Sequence, residues 1–361
     1  MEVIKFSFLT IENYVYIMNL LNLELSKQLP PEEVIFQMAL TAGIMQSLVI
    51  TAKLGIADLL KDGPKHCDEL AQATDTHSHS LYRFLRALAS VGVFAETEPK
   101  CFELTPLAAC LQDKESHSIR HFILFLERTY GCWGDAIETL RTGKNAHERI
   151  YGMSMFQYLD QNQDSAFSKI YDRGMAEVSL IQDAAIISAY DFSALEKLVD
   201  VGGGTGNLLA AILQRYPSLK GVLFDRPRAA EKAKVLFEEK GLTNRCEAVG
   251  GDFFKSQIPS GGDAYLLKYV LHTWDDQNVV KVLKSCHQAM AGKGRLLVIE
   301  RVITEDTFWM PKFADLNLLM LLSAAVRTEK EFRSLFEAAG FELTRVIPAG
   351  SIASILEGKI I

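Results

Sequence analysis

The chain has 361 residues, 48% of them hydrophobic and 23% charged, with a formal net charge of -7. That length and balance fit two globular domains and exclude a chain dominated by disorder. The surface is acidic, with a sequence pI of about 5.7. Such a surface repels phosphate backbones and anionic lipids, so neither nucleic acid nor a membrane is expected as a partner.

Cys67, Cys101, Cys110, Cys132, Cys246 and Cys286 are scattered, with no C-x-x-C pair. They read as reduced thiols of a cytoplasmic protein, and no ligand cluster points to a metal. His77 and His79 flank Ser78 in a polar stretch, which reads as a solvated turn or helix start. Residues 6–23 are apolar but interrupted by Glu12, Asn13, Asn19 and Asn22. A basic n-region and a small-residue cleavage site are missing, and a membrane span needs about 20 nearly unbroken apolar residues. Residues 1–30 therefore read as a helical leader, with Met18 as an alternative start.

From Pro31 the pattern is helical. Pro31, Glu32 and Glu33 open a helix with an acidic first turn, and Ile44, Leu48, Ala52 and Ile56 carry it toward Gly63-Pro64. Helices are expected at 67–74 and 78–90, then short strands at 92–94 and 101–104. A helix–turn–helix followed by a hairpin is a winged-helix order. Leu81, Phe84, Leu85 and Leu88 mark the buried face of the second helix, which carries only Arg83 and Arg86 as basic residues. A DNA reader wants a basic stripe, so packing or dimerisation is the expected role. Residues 115–195 read as helical throughout. Their aromatic residues, among them Phe122, Phe125, Tyr130, Trp133, Phe156 and Tyr158, are core or pocket candidates.

Beyond Leu195 the texture alternates. Strands are expected at 197–201, 221–224, 248–249, 264–267, 294–300 and 342–346. Helices are expected at 208–216, 229–240, 279–290 and 328–339. Such alternation implies a parallel sheet covered on both faces.

The sharpest motif is Asp200-Val201-Gly202-Gly203-Gly204-Thr205-Gly206, between a strand and a helix. Glycines let the backbone turn tightly and approach a ligand. A dinucleotide turn wants G-x-G-x-x-G, but counting from Gly202 the third glycine falls on Asn207. Asp200 would repel a phosphate and suits an ammonium instead. S-adenosylmethionine (SAM) carries an amino acid and no phosphate, so it fits better than NAD. Asp225, ending the next strand, is placed to accept hydrogen bonds from ribose hydroxyls. Gly250-Gly251-Asp252-Phe253-Phe254 follows the third strand. There Asp252 reads either as a partner for the adenine amino group, with Phe253 on the ring, or as a helix N-cap.

After the fourth strand comes Lys268-Tyr269-Val270-Leu271-His272-Thr273-Trp274-Asp275-Asp276. Ligands of open parallel sheets bind at the C-terminal strand ends, so His272 sits where chemistry is expected. Taken together, these motifs resemble the small-molecule O-methyltransferases related to caffeic acid and acetylserotonin O-methyltransferases, including bacterial antibiotic-pathway members. The resemblance covers nearly the whole chain after about residue 31.

It implies an α/β fold: a Rossmann-like SAM-binding domain at 191–361, a mostly helical N-terminal winged-helix dimerisation domain at 31–115, and a helical linker and substrate-pocket region at 116–190. It also implies a homodimer. Gly202, Gly204 and Asp200 would hold the amino-acid end of SAM, helped by Ser179. Asp225 would bind ribose, Asp252 and Phe253 adenine, and Lys268 the cofactor. His272 would be the general base and Glu300 would orient it. Met175, Trp274 and Trp133 would shape the substrate pocket. Thr273 stands where many members carry aspartate, and Val326 where many carry a second glutamate before Arg-Thr. The expected activity is in-line methyl transfer to a phenolic or enolic hydroxyl of a specialised metabolite, without a metal. The alternatives are N- or C-methylation, or a non-methylating use of SAM.

Overall fold

The computed structural model describes residues 29–114, 117–163, 165–255, 257–305, 309–322 and 324–361. The expected leader therefore lies almost wholly outside the described residues. The chain divides into two compact units: residues up to Arg128 with Ser165–Glu177, and Thr129–Asp164 with Val178–Ile361.

In the first unit, α1 (Pro31–Leu54) starts where Pro31 pre-sets φ and Glu32 and Glu33 oppose the positive helix end. The sequence pattern carries this helix on past Ile56, but Gly55 ends it. Its φ is +65° and its N–H caps the Ala52 and Thr51 carbonyls, a left-handed C-cap. The chain restarts as α2 (Ile56–Leu59). Then come β1 (Lys65–His66), α3 (Cys67–Ala73), α4 (Ser78–Ser90), β2 (Phe94–Glu98), β3 (Cys101–Leu104) and α5 (Pro106–Ala109). The helix–turn–helix and hairpin follow in the expected order. The unforeseen β1 adds an antiparallel strand, giving the order β1-β3-β2. Leu81, Leu85 and Leu88 of α4 pack with Ile56, Leu70, Phe94 and Phe102 in one core.

The stretch expected to be helical throughout is broken into α6 (Arg120–Trp133), α7 (Ala136–Thr142), α8 (Ala146–Tyr151), α9 (Met155–Gln161) and α10 (Ala166–Ala189). Gly143 and Gly152 take left-handed conformations that end α7 and α8. The division between units runs through α6 and α10.

The second unit continues with β4 (Lys197–Val201), α11 (Asn207–Arg215), β5 (Lys220–Asp225), α12 (Pro227–Glu239), β6 (Cys246–Gly250) and β7 (Ala264–Lys268). It closes with α13 (Asp276–Met290), β8 (Arg295–Glu300), β9 (Val302–Ile303), α14 (Met310–Leu321), β10 (Arg327–Thr328), α15 (Glu329–Ala338), β11 (Phe341–Ala349) and β12 (Ala353–Ile360). Seven strands pair in the order β11-β12-β8-β7-β4-β5-β6. The strands from β4 to β8 are parallel, as expected. The expectation of a wholly parallel sheet fails at one edge, where β12 runs antiparallel to both β8 and β11. Only residues 350–352 join β11 to β12, too few for a crossover helix, so the pair must be a hairpin.

Alternation along the strands fills both faces. Leu198, Leu223, Leu266 and Leu297 pack against Leu209, Leu213 and Phe237 on one side. Val199, Val222, Leu267 and Val298 pack against Leu283, Phe332 and Phe336 on the other. Each buried side chain of this kind contributes about 1.5–3 kcal/mol. This two-sided core fixes the strand ends on which the site is built.

Candidate active site

After β4 the backbone turns through Gly202 and Gly204, with φ of +75° and +60°. A Cβ on Gly202 would lie 2.5 Å from a methyl of Val270, so the turn needs glycine there for space as well as for conformation. No atom lies within 4 Å of a Cβ built on Gly204, leaving room for a ligand against the backbone. Asp225, ending β5, ties the turn down. Its carboxylate accepts the Gly204 N–H at 2.8 Å and the Arg226 N–H at 2.6 Å.

Asp200 lies under this turn, 1% exposed, and its Oδ1 has no hydrogen-bond partner among the described residues. Burial first, then the charge of Asp225, pushes its carboxyl up to about 7. Across from it stands Asp183 of α10, whose Oδ1 takes a hydrogen bond from Lys268 and whose buried Oδ2 has none among the described residues. Lys268 ends β7. Its ammonium gives its other two bonds to the Ser179 carbonyl at 3.0 Å and hydroxyl at 2.7 Å. Burial pushes the lysine down and Asp183 up, and their mutual attraction opposes both shifts. Two orphaned buried carboxylate oxygens cost free energy unless a donor meets them. An ammonium group is the donor that this pocket of acids fits.

His272 lies on a short 3-10 turn, Leu271–Thr273, just past β7. Glu300, fully buried at the end of β8, accepts the His272 backbone N–H at 3.1 Å and binds the ring Nδ1 at 2.6 Å. With the proton on Nδ1 and donated to glutamate, Nε2 is left with its lone pair. The Thr273 hydroxyl donates to the Val270 carbonyl at 2.6 Å. The ring of Tyr269 lies 5.5 Å from the imidazole. Tyr269 itself has a left-handed φ of +55°, which is uncommon for a bulky residue. Its hydroxyl meets Gln182, and the Arg301 guanidinium lies 4.7 Å from its ring centre.

Beyond the glycine turn, Asp252 accepts the Phe254 N–H at 2.9 Å, so it closes a local turn. Phe253 and Phe254 meet Trp274 edge-on, and Phe156 of α9 stacks on Trp274 at 6.2 Å. Arg226 pairs with Asp160 of α9 at 2.8 Å. Trp133 donates its indole N–H to Asn317 of α14 at 2.8 Å. Met175 lies on the first unit's share of α10.

The structure thus brings His272 to Glu300, Ser179 to Lys268, Asp225 to the glycine turn, and Phe253 to Trp274. Sequence reading missed Gln182, Asp183 and Tyr269, and had Phe156 only as one of several core or pocket candidates. A signal existed for the first two: Ser179, Gln182 and Asp183 are spaced to share a face of α10, whose last twelve residues carry no other charged group. A glycine turn over buried acids, with an acid ending the next strand and a histidine–glutamate pair beside it, defines a nucleoside-cofactor enzyme equipped to move a proton.

Comparison with known proteins narrows that class. Residues 133–342 match the O-methyltransferase domain, and residues 36–114 the O-methyltransferase dimerisation domain. The phenazine O-methyltransferase PhzM of Lysobacter antibioticus is 41% identical over 332 residues, 91% of this chain and 96% of that protein. An 8-amino-8-demethylriboflavin N,N-dimethyltransferase of Streptomyces davaonensis is 34% identical, over 86% of this chain and 90% of its own length. The structure of human N-acetylserotonin methyltransferase in complex with SAM matches with a TM-score of 0.83 at 25% identity, over 91% of this chain and 97% of that one. The chain belongs to the O-methyltransferase family, and its cofactor is S-adenosylmethionine.

Proposed function

We propose that this protein methylates an aromatic or enolic hydroxyl of a bacterial specialised metabolite, with His272 as general base. The observation that carries the proposal is the 2.6 Å bond from His272 Nδ1 to buried Glu300, which leaves Nε2 to accept a proton. Bound SAM would supply a sulfonium methyl group whose carbon the acceptor oxygen bonds in line as the C–S bond breaks, with S-adenosylhomocysteine as the leaving group. Asp200 and Asp183 hold its ammonium end, with Gly202, Gly204, Ser179 and Lys268 shaping that end of the pocket. Asp225 takes the ribose. Phe253 lies on the purine, with Asp252 at its amino group; Trp274, expected in the substrate pocket, is assigned to the purine instead because it packs against Phe253 and Phe156. Met175 and Trp133 stay proposed as pocket residues. His272 takes the hydroxyl proton as the oxygen attacks, and Glu300 stabilises the imidazolium that forms.

The test is a labelled-SAM assay over hydroxyphenazines, hydroxynaphthoates, hydroxyquinones and arylamines, followed by product mass. Release of S-adenosylhomocysteine (SAH) with an O-methylated product supports the reading. Cofactor binding with no methyl transfer to any of them overturns it. A second reading is N-methylation, which one relative's name also describes. Val326 is buried, and the Thr273 hydroxyl is tied to the backbone, so among the described residues Glu300 is the one carboxylate bonded to the His272 ring. A neutral arylamine attacks through its lone pair before losing a proton, and so needs less help from a base.

The Asp200 assignment makes a signed prediction. Its carboxyl is held up to about 7, and a bound ammonium favours the ionised form. Below that pH a proton competes with the ammonium. SAH affinity, measured by calorimetry, should therefore rise with pH through about 7 and then level. Asp200→Asn should flatten the curve. Affinity for 5′-methylthioadenosine, which has no ammonium, should stay flat in both proteins. A flat SAH curve in the wild type would free Asp200 of this role.

The protein is further proposed to be a homodimer. Ile35, Phe36, Met38 and Leu40 of α1 are exposed, and α1 is long and apolar enough to cross a membrane. A partner subunit covering these side chains accounts for both facts, and all but Ile35 fall within the span of the dimerisation domain. Light scattering should give twice the chain mass of 40.3 kDa; a monomer at micromolar concentration would contradict it. None of the six cysteines is in a disulfide, which suits a cytoplasmic enzyme.

A further inference from the structure

We propose that Arg327 is a positioning residue for the catalytic histidine, fixing the turn that carries His272 as Glu300 fixes its ring. The inference rests on His272 being the base. Arg327 is almost wholly buried, with 4% of its side chain exposed. A guanidinium has five N–H donors in a rigid fork, and here four hydrogen bonds and an ion pair engage all three of its nitrogens. Nη1 donates to the Leu271 carbonyl at 3.1 Å and the Ala325 carbonyl at 3.2 Å. Nη2 donates to the Trp274 carbonyl at 2.7 Å and reaches Asp276 at 2.8 Å. Nε donates to Asp276 at 2.8 Å.

Those acceptors bracket the catalytic turn. Leu271 precedes His272, Trp274 ends the turn, and Asp276 opens the helix that follows. Within the turn the backbone has only the two i→i+3 bonds from Thr273 and Trp274, each 3.2 Å long. A single 3-10 turn is a weak element, so its shape depends on what holds its carbonyls from outside. Arg327 holds two of them from one planar group.

The arginine also shares a frame with Glu300. It lies on β10, whose Arg327 and Thr328 pair in parallel with Val302 and Ile303 of β9. That strand begins two residues after Glu300. The group that holds the turn and the group that holds the ring are thus anchored to one stretch of backbone. Their common effect is to set where Nε2 points. Lysine cannot substitute, because its donors radiate from one nitrogen and cannot span both carbonyls.

The test uses the full-length enzyme and the fastest methyl acceptor from the panel above. Arg327→Lys should leave SAH affinity by calorimetry within about threefold and lower single-turnover methyl transfer by roughly tenfold or more. That loss should shrink as the acceptor hydroxyl becomes more acidic across a substituted series, because an ionised oxygen needs no base. A loss equal for every acceptor would mark a purely structural role and overturn the proposal.

A second readout needs no acceptor. The Nδ1 proton held by Glu300 should give a downfield imidazole resonance that disappears in His272→Ala. It should weaken in Arg327→Lys; an unchanged signal together with an unchanged rate overturns the proposal. Should Arg327→Lys fail to fold, Asp276→Ala removes the exposed partner of the same guanidinium. It should show the same dependence on acceptor acidity, with a rate loss of about threefold for the least acidic acceptor. Identical rates in Asp276→Ala and wild type would then count against the proposal. His272→Ala separates the two ideas. If it is impaired while the Arg327 and Asp276 variants are not, only the positioning role falls. If it is unimpaired, the base itself is misassigned.

Discussion

His272→Ala should lower turnover on a phenolic acceptor by roughly 10²–10⁴-fold, the usual cost of a lost general base. The imidazole is the group left with a free lone pair beside the proposed cofactor turn. Neighbouring groups cannot replace it. Glu300 is fully buried behind the ring, and burial pushes the Tyr269 phenol up to about 12. A phenol with its ordinary pKa near 10 then attacks through a small ionised fraction at neutral pH. Raising the pH should recover activity in the variant more than in the wild type. SAH affinity should stay within about threefold, since His272 is assigned to the acceptor's proton and not to the cofactor. Single-turnover measurement keeps product release from masking the effect. An unchanged rate at neutral pH would remove His272 from the chemistry.

The legible parts of the site are those fixed by strand ends. Parallel strands bring their C-terminal ends to one edge, so Asp200, Asp225, His272 and Glu300 could be placed from strand patterning alone. The partners of Lys268 come from α10, a 24-residue helix, and of them the resemblance marked only Ser179. A helix position says nothing about which strand end it faces until the chain is packed. That is why Asp183, the partner of Lys268, went unseen. Tyr269 was invisible for another reason: its left-handed φ occurs at a residue type that gives no warning of it. Arg327 was noted only as the residue after Val326, and nothing in the sequence marks it as buried, although charged residues are rarely buried unless paired. At the sheet edge, β12 escaped because no element was read after the strand expected at 342–346, although residues 353–360 form one. Gly350, with a φ of +79°, and two neighbours turn the chain straight back into β12.

Glu300→Gln should lower turnover by at least tenfold, about 1.4 kcal/mol in the barrier, with SAH affinity unchanged. The carboxylate now accepts two hydrogen bonds, from the His272 backbone N–H and from ring Nδ1. An amide keeps one acceptor oxygen and presents two N–H donors. If that oxygen stays on the backbone N–H, the amide nitrogen faces Nδ1. The ring must then shift its proton to Nε2 to accept from it. In that tautomer Nε2 no longer has the lone pair that takes the acceptor's proton, so the base is present but wrongly protonated. The amide also lacks the charge that stabilises the imidazolium. Val326 offers no carboxylate in its place, and the Thr273 hydroxyl is committed to the Val270 carbonyl at 2.6 Å. The loss should therefore depend on the acceptor, large for simple phenols and small for hydroxyls beside a carbonyl, which ionise unaided. The two residues act as one unit, so the double variant His272→Ala, Glu300→Gln should be no slower than His272→Ala alone. Losses that multiply would mean that Glu300 acts on the reaction independently of the histidine, and the pair as a base would fall.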